Sequence, residues 1–168
     1  MQVDSFAFLP RSFRPLFERP ARLEGEDVPV FAPFEKRLAE STIALLTSAG
    51  LYREADQPTF DVNRERADPG WGDPTWRAIP RDTPQGALGM AHLHVNPQDT
   101  LADHEVSLPL RTLDGLVRDG IVGASAPMHY SVMGYQQAGL EVWRTTTAME
   151  IVERLRDEHV DALLLAPA

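Results

Sequence analysis

The sequence lacks cysteine altogether and contains no long apolar run. Without cysteine, these residues can form no disulfide, no thiolate metal site and no thiol nucleophile. No apolar stretch approaches the roughly 18–20 residues that a membrane span needs, and the first residues lack the basic and apolar regions of a signal peptide. We therefore expect a protein that stays in the cytoplasm and does not enter a membrane.

Basic side chains are scarce relative to acidic ones. The chain carries 16 Lys and Arg against 25 Asp and Glu, a net charge of −9. Such a charge repels a nucleic-acid backbone and an anionic lipid surface, so neither is an expected partner. Apolar residues make up 43% of the chain and charged residues 24%, which is ordinary for a folded globular domain.

Proline is concentrated near the N-terminus, where it prevents long regular elements. Five prolines occur in the first 40 residues: Pro10, Pro15, Pro20, Pro29 and Pro33. We predict an N-terminal arm over residues 1–40 and one domain over residues 41–168. Whether the arm contacts a second copy of the chain or another subunit stays open.

Apolar runs and helical patterns alternate along the domain. Three runs indicate buried strands: 41–47, 121–125 and 161–165. One amphipathic helix before the second run ends at Gly120, and another begins with a capping box of Thr147 and Glu150. Since crossover helices cover both faces of a parallel sheet, this order predicts an α/β fold with an open, mostly parallel, doubly wound sheet.

The middle of the chain is less regular. Residues 51–74 show no period and predict a long loop, whereas 76–79 and 90–95 are short strand candidates.

Ligands of open parallel sheets bind beyond the carboxyl ends of the strands. Ser48 and Gly50 follow the first predicted strand, and Ser125, His129 and Tyr130 lie at the end of the second. These residues are candidates for positioning a small substrate. The alternative is that the glycine serves a turn and that the histidine is a loop residue bonded to backbone.

Two imidazoles two residues apart, His92 and His94, would share one face of a strand. With His104 nearby, a metal site is conceivable, but zinc and iron need a third ligand at a defined position. We therefore predict no metal and favour a hydrogen-bonded or substrate-facing pair.

Arg77 is a candidate for binding a substrate carboxylate as a bidentate fork. A structural pair with Asp73 is the alternative. No nucleotide-binding, hydrolase-elbow or zincin motif is present, and we predict no bound cofactor.

Several segments in a fixed order carry a family resemblance. They are LAESTIALLTSAGLY (38–52), GDPTWRAIP (72–80), the pair His92 and His94, LPLRTLDGLVRDGIVGAS (108–125) and Met133-Gly134-Tyr135. Together these segments resemble the selenoprotein B family, which comprises glycine, sarcosine, betaine and D-proline reductase subunits and their relatives.

The resemblance implies reductive cleavage of a carbon–nitrogen bond in a small amino acid or N-methylated amine. It implies a redox-active selenocysteine or cysteine just after the strand equivalent to 162–168, partner subunits and a thiol electron donor. This chain has neither residue, so we expect its coding sequence to continue through an in-frame UGA after Ala168, and these 168 residues alone to be inactive in reduction. His129, Tyr130 and the pair His92 and His94 would then orient the substrate or move protons.

Two other functions remain open. One is a metal-dependent hydrolase or lyase built on His92, His94 and His104. The other is a non-catalytic small-molecule-binding subunit of the same fold.

Overall fold

The structure is a computed structural model that describes residues 33–68, 70–93, 95–134, 136 and 140–168. His94 and most of the predicted arm lie outside these residues, so the arm and its boundary stay predictions. In the part of the arm that is described, Leu38–Glu40 forms a 3₁₀ turn. No helix in the described ranges is long and apolar enough to cross a membrane.

Seven strands and four α-helices make up the described domain. The strands are β1 (Thr42–Thr47), β2 (Leu51–Arg53), β3 (Trp76–Pro80), β4 (Leu88–Met90), β5 (Ala124–Ser125), β6 (Met128–Val132) and β7 (Ala162–Ala166). The helices are α1 (Val62–Ala67), α2 (Gln98–Ala102), α3 (Leu110–Arg118) and α4 (Ala148–Asp157). A helical turn, Leu140–Val142, and a π-helical turn, Trp143–Thr147, lead directly into α4.

β1 lies in the middle of the main sheet. It pairs in parallel with β7 on one side and with β5 and β6, one after the other, on the opposite side. β3 adds to β6 in the antiparallel direction, and β2 and β4 form a separate antiparallel ribbon. The predicted α/β fold with a mostly parallel sheet is confirmed, with β3 as its antiparallel member.

The two faces of β1 pack against different helices because successive side chains of a strand point to opposite sides. Ile43 and Leu45 join the cluster that contains Leu113 of α3. Leu46 packs against the cluster formed with Ile151 of α4. Helices therefore cover both faces of the sheet, as a doubly wound fold requires.

The helix before Gly120 forms as predicted, and Gly120 follows it with a φ of 70°. The predicted capping box at Thr147 is wrong. Thr147 already has helical φ and ψ angles, and its side chain caps no backbone group of the helix. The chain is helical from Leu140 onward, so the hydroxyl is available for a contact outside the helix.

Tertiary pairing also changes the region predicted to be a loop. Residues 51–74 contain β2, which pairs with β4, and α1, whose first turn is capped by the carboxylate of Asp61. The strand predicted at 90–95 is instead Leu88–Met90. His92 therefore follows the strand, and the argument that placed it with His94 on one strand face does not hold.

Candidate functional site

An apolar cleft of about 520 Å³ opens at the carboxyl ends of β1, β6 and β7. It is lined by Leu46, Ser48, Val132, Met133, Gly134, Gln136, Leu140, Trp143, Arg144, Ala148, Leu165, Ala166 and Pro167. Its position is the one where open parallel sheets bind ligands, and its volume is in the range of small-molecule sites. We take this cleft as the candidate functional site.

The π-helical turn Trp143–Thr147 supplies two residues of the cleft wall, Trp143 and Arg144. Turns of this kind are rare and frequently occur at functional sites. Arg144 carries the only formal charge among the described lining residues, and its side chain makes no ion pair within the described part of the chain. The lining therefore consists of almost entirely apolar surface and includes one charged residue that has no ion pair in the described ranges.

Two lining residues carry buried polar atoms without a hydrogen-bond partner among the described residues. They are the indole Nε1 of Trp143, a donor, and the amide Oε1 of Gln136, an acceptor. The amide nitrogen of Gln136 donates to the carbonyl of Asp73 at 2.7 Å. Since buried polar atoms are normally bonded, these two are unsatisfied groups beneath the cleft surface.

Of the predicted site residues, Ser48 lines the cleft. Its hydroxyl accepts the backbone N–H of Ala168 at 2.9 Å and lies 3.4 Å from the carbonyl of the same residue. Ser48 thus joins the end of β1 to the segment that follows β7.

Gly50 occupies the turn between β1 and β2 with a φ of +65°. A Cβ at this position would lie 2.3 Å from the carbonyl oxygen of Ala91. The residue is therefore required by the backbone and does not line the cleft.

His129 is fully buried between β1 and β6. Its Nδ1 accepts the backbone N–H of Leu45 at 3.0 Å, so in the neutral ring the proton is on Nε2, which lies 3.3 Å from the hydroxyl of Ser125. Burial, helped by the charge of Arg81, lowers the pKa of His129 to about 4. The structure brings His129 and Ser125 together, but inside the sheet and not in the cleft.

Tyr130 is also fully buried, in the cluster between the sheet and α4. Its ring contacts Trp76 edge to face, with 5.7 Å between the centroids. Burial raises the pKa of the phenol to about 12, so the hydroxyl is neutral at pH 7. Tyr130 forms part of the packing on which the cleft rests.

The guanidinium of Arg77 is occupied by the protein itself. It donates to the carbonyls of Pro58 and Trp76 at 2.9 Å and of Thr59 at 3.2 Å. It also lies over the ring of Phe60, 4.2 Å from the centroid. Burial lowers its pKa, against the opposing effect of the Asp73 carboxylate.

Arg77 and Asp73 are linked through a third residue. The hydroxyl of Thr75 accepts from Arg77 at 2.9 Å and donates to Asp73 at 2.5 Å. This link favours a structural pair of Arg77 with Asp73 over binding of a substrate carboxylate. Arg77 also does not line the cleft.

Two of the three histidines considered for a metal site, His92 and His104, lie within the described ranges. His104 is buried in the 3₁₀ turn His104–Val106, where burial lowers its pKa and Nε2 lies 3.6 Å from a carboxylate oxygen of Glu105. His92 is half-buried beyond β4, and His94 lies outside the described residues. No group of three His, Cys, Asp or Glu side chains within the described ranges could hold a metal ion.

Sequence reasoning missed Gln136, Trp143 and Arg144. The three follow β6 in a stretch without a clear period, and Arg144 precedes three threonines, which are weak helix formers. A Trp-Arg pair just ahead of a predicted helix was the available signal. Nothing in the local pattern indicated that it would face the end of β1.

Fold and cleft together define an α/β protein with a ligand-sized cleft at the carboxyl edge of a mostly parallel sheet. Among curated proteins, the chain is similar to D-proline reductase subunit gamma of Acetoanaerobium sticklandii. The two are 30% identical over 137 residues, which cover 82% of this chain and 52% of the relative.

The chain thus spans about half the length of this relative. No family model and no solved structure matches it. The similarity supports a relation to proline reductase proteins.

Proposed function

We propose that the chain is the substrate-binding part of a reductase that cleaves a carbon–nitrogen bond in a small amino acid or N-methylated amine. Substrates of the glycine, sarcosine, betaine or D-proline type fit this proposal. The similarity to a D-proline reductase subunit supports the reaction class. The observation that carries it is that Arg144, a residue without an ion pair in the described ranges, belongs to the lining of a cleft whose surface is almost entirely apolar.

The groups around the cleft match a small amino acid. A carboxylate would be held by Arg144 through charge-assisted hydrogen bonds. The indole ring of Trp143 on the cleft wall suits a cationic, partly methylated nitrogen. Carbon atoms of the substrate would lie against Leu46, Val132 and their apolar neighbours.

Reductive cleavage of a carbon–nitrogen bond consumes two electrons and two protons. The 168 residues contain no cysteine, so the redox-active selenocysteine or cysteine would come from outside them. We place it next to Ala168 in space, because Leu165, Ala166 and Pro167 line the cleft and a residue following them would face the substrate. Partner subunits and a thiol electron donor complete the proposed reductase.

The other predicted residues have supporting roles in this proposal. Ser48 contacts the substrate or the segment after β7. Gly50, Arg77, Ser125, His129 and Tyr130 hold the strands and loops that carry the cleft. A role for His92 and His94 in orienting the substrate stays a prediction.

Calorimetric titration of the purified chain with D-proline, L-proline, glycine, sarcosine and betaine tests the proposal. We expect at least one of them to bind, and Arg144→Gln to weaken that binding by about 10-fold or more, because a hydrogen bond to a charged group contributes about 1.5–3 kcal/mol. Arg156→Gln, at an exposed position of α4 away from the cleft, is the matched control and should bind as the unaltered chain does. Absence of binding by all five compounds, or an equal loss in both variants, contradicts the proposal.

A further inference from the structure

The loop before β3 holds both segments that form the helical side of the cleft. The carbonyl of Asp73 accepts from the amide of Gln136 at 2.7 Å. The carbonyl of the next residue, Pro74, accepts from the hydroxyl of Thr147 at 2.5 Å. Gln136 lines the cleft, and Thr147 is the last residue of the π-helical turn that carries Trp143 and Arg144.

Hydrogen bonds to the side chain of Asp73 organise the loop itself. The carboxylate of Asp73 is buried and accepts the backbone N–H groups of Asp61, at 2.8 Å, and Thr75, at 2.9 Å, together with the hydroxyl of Thr75. Neighbouring carbonyls with fixed directions can therefore act as anchors for the chain segments that bond to them.

A second contact lies one turn further along the helix. The indole N–H of Trp76 donates to the carboxylate of Glu150 at 2.7 Å, and Arg154 lies over the same ring. The start of α4 is thus fixed to β3 and its preceding loop at two successive levels.

We propose that Thr147 is a positioning residue, whose bond to the Pro74 carbonyl sets the π-helical turn and thereby the location of Trp143 and Arg144 in the cleft. Thr147 is buried, and it does not itself line the cleft. A π-helical turn contains one residue more than a regular α-helical turn, and this extra residue changes the direction of the side chains around it. The hydrogen bond from Thr147 to the loop before β3 would therefore determine whether Trp143 and Arg144 face the sheet. The inference rests on the cleft being the ligand site of the proposed function.

The test compares Thr147→Val, which removes the hydroxyl at nearly constant volume, with Thr147→Ser, which keeps it. The probe is 8-anilinonaphthalene-1-sulfonate, an anionic apolar dye suited to an apolar cleft beside an arginine, with Arg144→Gln showing which part of the signal comes from the cleft. We expect about 5-fold weaker dye binding in Thr147→Val and a loss below 2-fold in Thr147→Ser. The indole N–H resonance of Trp143 in ¹⁵N NMR spectra, assigned with Trp143→Phe, should shift in Thr147→Val only.

Thr145→Val is the matched control, because Thr145 lies in the same turn but its hydroxyl bonds to the carbonyl of Glu141 within the helix. Equal dye affinity in Thr147→Val and the unaltered chain, or an equal loss in Thr145→Val, overturns the proposal. If Thr147→Val does not fold, Thr147→Ala, which also removes the hydroxyl, replaces it, with the same loss expected and equal dye affinity overturning the proposal.

Dye and amino acid separate the two proposals. Dye binding that depends on Thr147, without binding of any amino acid, retains the positioning role and contradicts the proposed substrate class. If an amino acid binds and Thr147→Val leaves that binding unchanged, the proposed substrate class is retained and the positioning role of Thr147 is contradicted.

Discussion

At the residue scale, His129 bridges a gap between β1 and the strands beside it. β1 pairs with β5 up to Ile43 and with β6 from Leu46 onward, which leaves Leu45 between the two ladders. The imidazole accepts the N–H of Leu45 there. A buried N–H without an acceptor costs about 1–3 kcal/mol, so the ring replaces a missing backbone bond.

This arrangement predicts that stability falls as the pH is lowered. The pKa of His129 is about 4 in the folded chain, below the value of about 6.5 for an unperturbed histidine. As the pH falls, His129 is therefore protonated in the unfolded state at a higher pH than in the folded state. The contribution is present above pH 6.5 and is lost as the pH falls towards 4, by about 3 kcal/mol in total.

Urea unfolding between pH 4 and 7 measures this effect. His129→Asn, whose amide oxygen can accept the N–H of Leu45 without titrating, should lose the part of the pH dependence that His129 contributes, whereas the part due to His104, whose pKa burial also lowers, should remain. His159→Asn, at an exposed position, should keep it. An unchanged slope in His129→Asn would show that other groups cause the dependence.

At the scale of elements, the turn between β1 and β2 determines how these two strands are connected. Gly50 turns the chain from β1 into β2 and lets the backbone approach Ala91 closely. The pattern of 41–47 was enough to predict β1, since a short run of β-branched and apolar residues suits a buried strand. The pairing of β2 with β4 was not predictable, because three-residue strands carry too little pattern.

Gly50→Ala tests this role against a ligand-binding one. Gly50 and Gly86 both have positive φ values, +65° and +84°, but an added Cβ meets backbone only at Gly50. We expect Gly50→Ala to lower the free energy of unfolding by at least about 2 kcal/mol and Gly86→Ala by about 1 kcal/mol. Urea unfolding of both variants measures the difference, and equal losses would contradict the crowding at Gly50.

At the scale of the whole molecule, the edge strand β7 forms part of the cleft wall. Leu164 and Leu165 are 56% and 63% exposed, and the residues that follow line the cleft. Chemistry supplied from outside the 168 residues would therefore arrive beside β7, where the proposed substrate is bound.

Reading the nucleotides after the Ala168 codon tests the proposed source of the redox group. We expect an in-frame UGA followed by further open reading frame. A UAA or UAG codon would contradict that source and, together with measured amino-acid binding, would favour a non-catalytic binding subunit.

Local features of this protein were determined by the sequence alone. The absence of cysteine, β1, the helix ending at Gly120 and the mostly parallel α/β fold follow from composition and from patterns within a few residues of each other. Such patterns express burial on one face or both, which each segment carries by itself.

Only the tertiary structure decided which side chains share the cleft. Arg144 reaches the ends of β1 and β7 through a π-helical turn that no local pattern predicted, and Thr147 bonds to Pro74, 73 residues earlier. His129 was predicted near a substrate but faces Leu45 within the sheet. Strand register and long-range bonds set these positions, because a side chain's neighbours depend on segments that are distant along the chain.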